Sequence, residues 1–206
     1  MPTTSIRSIT DREDFLLALG RTLHGLNVPV AVAMTDLDDF AEINDLHGFD
    51  VGDRVLESWE RVMDANLPSD ATVARLGGDE YAVILPGCVA ETALILLDEI
   101  RAHFFEHETP TAGRLSASIG VASIPPHGAN ADELAQHAGQ ALMRAKRDGR
   151  NRVAIYIEEK MVLKSNYYSR GNLERLAKLS EATDRTEASL LREALDSLID
   201  RYRDVL

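Results

Sequence analysis

A mixed α/β fold, with a central sheet covered by helices and a small helical appendage at the C-terminus, is what this 206-residue sequence predicts. Three observations carry that expectation. Short apolar runs of strand length alternate with stretches of helical period up to residue 159. Two of those runs, "ATVARL" and "YAVILP", are separated only by the polar knot Gly77-Gly78-Asp79-Glu80, so the alternation includes a hairpin. Beyond Lys160 two helical patterns follow with no further long sheet-like run, which places a domain boundary there: 1–159 and 160–206.

Each element has a local reason. An amphipathic stretch over 11–24 leads into "VPVAVAMTD" (28–36), a continuous apolar run of the kind that both faces of a sheet bury. Two helical segments follow, broken at Gly48; the second sets Val51, Val55, Trp59, Val62 and Met63 on one face. The hairpin occupies 71–86, and "AETALILLDEIRAHFF" (90–105) reads as a helix. "RLSASIGVASIP" (114–125) alternates like a strand. Asn130 and Glu133 form a capping pair for a helix ending near Gly149, and "NRVAIYIEE" (151–159) is the last strand. Helices interleaved with strands and one hairpin imply a mixed sheet wrapped by helices.

Composition narrows the function classes. With 45% hydrophobic residues the chain can bury a sizeable core. Net charge is −12, and residues 1–157 hold 13 basic against 24 acidic side chains, which excludes a broad surface for polyanionic nucleic acid. Residues 158–206 are near neutral, 9 against 10. One cysteine, Cys88, excludes a disulfide framework and a Cys-based zinc cluster, and reads as a core or edge residue. His103 and His107 have i, i+4 spacing but no third ligand, so a solvated helix face is the better reading. No stretch resembles a signal peptide or a membrane span, so a soluble, cytoplasmic protein without a membrane partner is expected.

Why two acids sit at the tip of a buried hairpin is the question with functional content. A solvated turn explains an isolated Gly-Gly-Asp-Glu, but the run "AMTDLDDFAEINDLHGFDVGDRVL" (33–56) adds seven more acids directly after the apolar strand. Asp36 falls where that strand ends, the usual place for ligand groups in open sheets. If this strand neighbours the hairpin, Asp36 faces Asp79 and Glu80. Three carboxylates so placed call for a cation, and hard oxygen ligands suit Mg²⁺ bound with substrate phosphates. That arrangement serves phosphoryl transfer.

"DLDDFAEINDLHGFDVGD", "RLGGDEY", "SIGVA" and "ALMRAKRDGRN" stand in the order and at the spacing found in the GGDEF family of diguanylate cyclases, which residues 5–157 resemble. The resemblance implies a palm-like nucleotidyl cyclase fold and the joining of two GTP into cyclic di-GMP with release of pyrophosphate. It implies Mg²⁺, with Mn²⁺ as an alternative, on Asp36, the Leu37 carbonyl and Asp79. Asp79 or Glu80 would help deprotonate the attacking 3′-hydroxyl. Backbone at Asp39 and Phe40 would cradle phosphates, Asn44 and Asp53 would bind guanine, and Lys146 and Arg150, four apart on one helical face, would clamp the triphosphate.

The sequence also departs from the family pattern. "TSIR" (4–7) replaces the usual DxLT entry motif, and Ala41 replaces a phosphate-binding Lys. Gly48-Phe49 stands for Gly-His near the guanine site, Gly139 and Met143 stand for Asp and Tyr, and Pro68 through Ala71 replace the RxxD motif of product inhibition. A lost charged hydrogen bond to phosphate costs about 1.5–3 kcal/mol, which weakens a cyclase without abolishing it.

The tail, 161–204, resembles a ribbon-helix-helix module: "KMVLKSNYYS", one helix carrying Leu173, Leu176 and Leu179, the turn at Asp184-Arg185-Thr186, and a second helix carrying Leu191, Ala194, Leu195, Leu198, Ile199 and Tyr202. Such modules are obligate dimers whose paired strands enter DNA. With only Lys160 and Lys164 as bases in the ribbon, a homodimerisation role is favoured over DNA reading by Lys164 or Asn166. The alternatives are a DNA-binding regulator whose first domain senses GTP or a cyclic dinucleotide, and a cyclase of different nucleotide specificity.

Overall fold

The computed structural model describes residues 11–25, 28–106, 115–158, 167–183 and 185–202. The chain divides into two compact units, Met1–Glu159 and Lys160–Leu206. The expected strand of the tail, with Lys164 and Asn166, and the 4–7 stretch lie outside the described residues.

In the first unit the elements are α1 (Arg12–Gly25), β1 (Val30–Leu37), α2 (Phe40–His47), α3 (Phe49–Asn66), β2 (Thr72–Gly77), β3 (Glu80–Pro86), α4 (Ala90–Glu106), β4 (Ala117–Ile124), α5 (Ala131–Arg147) and β5 (Val153–Ile155). The strands form one sheet in the order β2-β3-β1-β4-β5. β1 lies at its centre, antiparallel to both β3 and β4, while β4 and β5 run parallel. The sheet is therefore mixed, as the interleaved pattern implied.

β1 lacks polar alternation because both faces are covered. Ala31, Ala33 and Leu37 join a core with Trp59 and Met63 of α3 and Leu97, Ile100 and Phe104 of α4. Val30, Val32 and Met34 join the opposite core, with Phe15 and Leu19 of α1 and Leu134, Ala138 and Leu142 of α5. α5 sits on the sheet through a glycine. An ideal Cβ on Gly120 of β4 would lie 1.9 Å from the Leu142 backbone nitrogen, so no side chain fits there. This close approach sets the position of Lys146, one turn further along α5.

The capping pair is present in modified form. Asn130 Oδ1 accepts from the Glu133 N–H at 2.9 Å, while Glu133 reaches back to the Ala129 N–H rather than to Asn130. β5 is shorter than the expected 151–159. One further sheet bond runs from Tyr156 N–H to Val121 O, but the Ile155 carbonyl is taken by the Arg144 guanidinium at 2.8 Å, and Ile157 is exposed. The edge strand ends where a side chain claims its acceptor.

The second unit holds α6 (Arg170–Thr183) and α7 (Glu187–Arg201). No residue of α6 is buried. Leu173 and Leu179 of α6, and Leu191, Leu195, Leu198, Ile199 and Tyr202 in and just after α7, are all exposed. Among the described residues no helix is long and apolar enough to cross a membrane.

Candidate active site

Asp36 and Glu80 are directly paired across β1 and β3, with Asp79 in the turn that opens β3. The three carboxylates expected to meet are thus brought to one end of the sheet. Asp36 is buried, and its carboxyl is held above the ordinary carboxylate range chiefly by that burial. The charges of Asp79 and Glu80 push in the same direction, while hydrogen bonding and charge from Lys146 pull it down. Lys146 Nζ lies 2.6 Å from Asp36 Oδ2 and is the direct counter-charge of the group.

The hairpin tip is fixed by a residue the sequence reading passed over. Arg75 donates from Nε (3.0 Å) and Nη2 (2.7 Å) to the Gly78 carbonyl, across the irregular register between Arg75 and Gly77. Its guanidinium also lies over the Tyr81 ring and 3.9 Å from Glu60, which accepts the Tyr81 hydroxyl at 2.8 Å. Burial and the neighbouring Glu60 raise the Tyr81 phenol, so it stays protonated and donates. The Arg three residues before the second glycine was the available signal.

Asp38 is the second residue missed. It is buried and accepts from Ser116 Oγ (2.7 Å), Ser118 Oγ (2.6 Å) and the Asn151 N–H (3.0 Å). It therefore ties the end of β1 to β4 and to the loop after α5. In that loop Gly149, Arg150 and Asn151 all have positive φ, 109°, 60° and 47°. Strain of about 1–3 kcal/mol per non-glycine residue persists only where neighbours over-determine the backbone. Here Asp38 holds the Asn151 backbone and Arg101 donates to its side chain at 2.6 Å.

That loop corrects one expectation. Lys146 and Arg150 do not share a helical face, because α5 ends at Arg147 and Arg150 lies beyond it in the left-handed region. Lys146 reaches Asp36, whereas Arg150 Nε reaches Asp39 Oδ1 at 3.5 Å. The two cations still bracket the segment between β1 and α2. Asp39 has φ 57° and its side chain makes no cap bond to α2. Leu37 is the last residue of β1, buried in the core, and Phe40 opens α2 and packs on the same core.

Asn44 and Asp53 flank the α2–α3 corner. An ideal Cβ on Gly52 would fall 1.9 Å from Asn44 Oδ1, so glycine lets the two helices close. Asn44 Oδ1 is buried without a hydrogen-bond partner, and Asp53 is exposed. Of the His103–His107 pair only His103 is among the described residues. Cys88 is half-buried, with its thiol raised chiefly by burial and next by Asp70.

Among the described residues no three His, Cys, Asp or Glu side chains form a ready-made metal cage. The donor set fits a hard cation nonetheless: a buried carboxylate crowded by two others, with a strand-end carbonyl beside it. Such a cation takes its remaining oxygens from water and substrate phosphates.

Residues 8–152 match the family model for "Diguanylate cyclase, GGDEF domain". The chain belongs to the GGDEF family. Its palm-like α/β fold is that of solved GGDEF domains. The active GGEEF domain of a diguanylate cyclase from Vibrio cholerae aligns with a TM-score of 0.68 at 28% identity, covering 73% of this chain and 99% of that domain. The GGDEF domain of DgcB from Caulobacter crescentus, solved with c-di-GMP, aligns with a TM-score of 0.66 at 28% identity, covering 71% and 90%. By sequence, a diguanylate cyclase of Vibrio cholerae is 33% identical over 144 residues, 69% of this chain and 44% of that protein. This GGDEF chain spans less than half the length of the curated relatives it matches.

Proposed function

We propose that this chain is a diguanylate cyclase that condenses two GTP into cyclic di-GMP. The observation that carries the reading is the Asp36–Glu80 pair across β1 and β3, with Asp79 in the adjoining turn and Lys146 2.6 Å from Asp36. In this reading Asp36, Asp79 and the Leu37 carbonyl hold Mg²⁺, or Mn²⁺ in its place. The bound cation supplies charge neutralisation for the triphosphate. The first-turn N–H groups of α2, after Asp39 and at Phe40, take phosphate oxygens. Lys146 and Arg150 exchange Asp36 and Asp39 for the triphosphate when it arrives. Asp79 or Glu80 takes the proton from the 3′-hydroxyl. That oxygen bonds to the α-phosphorus of the second GTP, the bond to the β-phosphate breaks, and pyrophosphate leaves. The same step in the opposite sense closes the ring.

The tail is read as a ribbon-helix-helix-like module that joins two chains. Its support is the row of exposed leucines on α6 and α7, which a hairpin of two short helices cannot bury alone. Two catalytic units are needed, since each GTP must attack the other. Incubating the purified chain with GTP and Mg²⁺ and weighing the products by mass spectrometry tests the activity. Cyclic di-GMP is the expected product, and recovery of unchanged GTP at micromolar enzyme overturns the reading.

Base choice follows from Asp53, which accepts from the N1–H and N2–H₂ of guanine, donors that adenine lacks. GTP is expected to be preferred over ATP by about two decades or more in kcat/KM, with most of the preference lost in Asp53→Ala. Comparable use of both nucleotides by the unaltered chain removes the assignment of Asp53.

Product inhibition is expected to be absent. Pro68 through Ala71 form a turn closed by Ala71 N–H to Pro68 O at 3.0 Å, and Pro68 and Ala71 stand where RxxD has its Arg and its Asp. Progress curves should show no non-competitive inhibition by added micromolar cyclic di-GMP. Inhibition that persists at saturating GTP would reveal another seat for the product.

A further inference from the structure

α3 opens on a large apolar side chain that the fold does not use. Phe49 is 78% exposed, although Val51, Val55, Leu56, Trp59 and Met63 of the same helix are buried. It belongs to neither core cluster. At about 100° per residue, Phe49, Gly52 and Asp53 fall on one helical face, with Phe49 one turn before the Asp53 carboxylate. The same face meets α2 where Gly52 lies against Asn44 and Phe40. Asn44 Oδ1 there is buried and lacks a donor. The α2–α3 corner thus gathers an exposed aromatic ring, a carboxylate and an amide oxygen without a partner. A planar ring carrying N–H groups offers a stacking face to the exposed ring and donors to the exposed carboxylate.

We propose that Phe49 stacks on the purine ring of the bound nucleotide and sets affinity for the base, while Asp53 and Asn44 select its edge. The inference rests on the cyclase reading above and adds a determinant to it. Stacking is blind to the edge of a base, because every purine presents a π-face. Phe49 therefore strengthens guanine and hypoxanthine nucleotides by the same factor and does nothing for a nucleotide without a base.

The test is calorimetric titration of the full chain, of Phe49→Ala and of Phe49→Trp. The probes are the non-reacting α,β-methylene analogues of GTP and ITP, and ribose 5-triphosphate. Phe49→Ala should weaken both purine analogues by about ten-fold or more and by the same factor. Its affinity for ribose 5-triphosphate should be unchanged, and Phe49→Trp should bind like the unaltered chain. The proposal is overturned if Phe49→Ala binds the GTP analogue normally, which would leave Phe49 to a contact between copies. It is equally overturned if the variant loses ribose 5-triphosphate to the same degree, or if Trp fails to substitute. If the unaltered chain binds neither purine analogue, the cyclase reading falls, and this inference with it.

Discussion

Asp79→Asn is expected to lower cyclic dinucleotide formation by about 10³-fold or more while leaving the melting temperature within about 2 °C of the unaltered chain. The amide keeps the shape of the side chain but removes the charge that the proposed site needs. Stability should hold because Asp79 sits in the hairpin turn, and the turn is closed by Arg75 bonding to the Gly78 carbonyl, not by Asp79. Asp36→Asn is the instructive comparison. Its carboxyl is raised by burial, so by linkage the ionised form costs stability, and that cost grows as pH rises through the folded pKa. Removing the charge should therefore abolish activity while leaving the cation-free protein at neutral pH at least as stable. Lys146 loses its partner in this variant, but it is partly exposed and can rehydrate. Turnover by either variant within ten-fold of the unaltered chain sinks the carboxylate assignment. A clear loss of stability in Asp36→Asn sinks the account of its burial.

The sequence was most legible where one physical cause acts alone. β1 was readable because a strand covered on both faces has no alternative to continuous apolar residues, and Asp36 was conspicuous as the acid that ends such a run. The hairpin was readable because Gly77 and Gly78 interrupt what would otherwise be one long apolar run. What escaped depends on long-range partners. Asp38 looked like one acid among seven, and only the fold brings Ser116, Ser118 and Asn151 to it. The helical spacing of Lys146 and Arg150 misled, because positive φ at 149–151 turns the chain out of the helix between them. Gly52 and Gly120 were visible as letters, but their purpose is the close approach of another backbone or side chain, which one-dimensional spacing does not encode.

Truncation after Glu158 is expected to leave a folded monomer whose specific activity at about 10 nM protein falls about 100-fold and recovers as concentration rises. Folding should survive because both core clusters, and every residue packed on them, lie between Phe15 and Tyr156. The loss follows from the reaction. Two linkages require two catalytic units face to face, and Ala41 in place of a phosphate-binding Lys leaves little surplus affinity to hold that encounter together. Eleven residues separate Glu158 from Arg170, the first of α6, so the connection to α6 reaches no further than about 40 Å. A dimer formed through α6 and α7 would then hold its two catalytic units at effective concentrations of about a millimolar. Sedimentation of both forms alongside turnover separates assembly from chemistry. If the truncated chain matches the full chain at about 10 nM, the tail does not assemble the catalytic pair. The exposed leucines of α6 and α7 must then serve another contact, and the reading of the tail as a DNA-binding dimer, tested by salt-dependent binding to duplex DNA, takes its place.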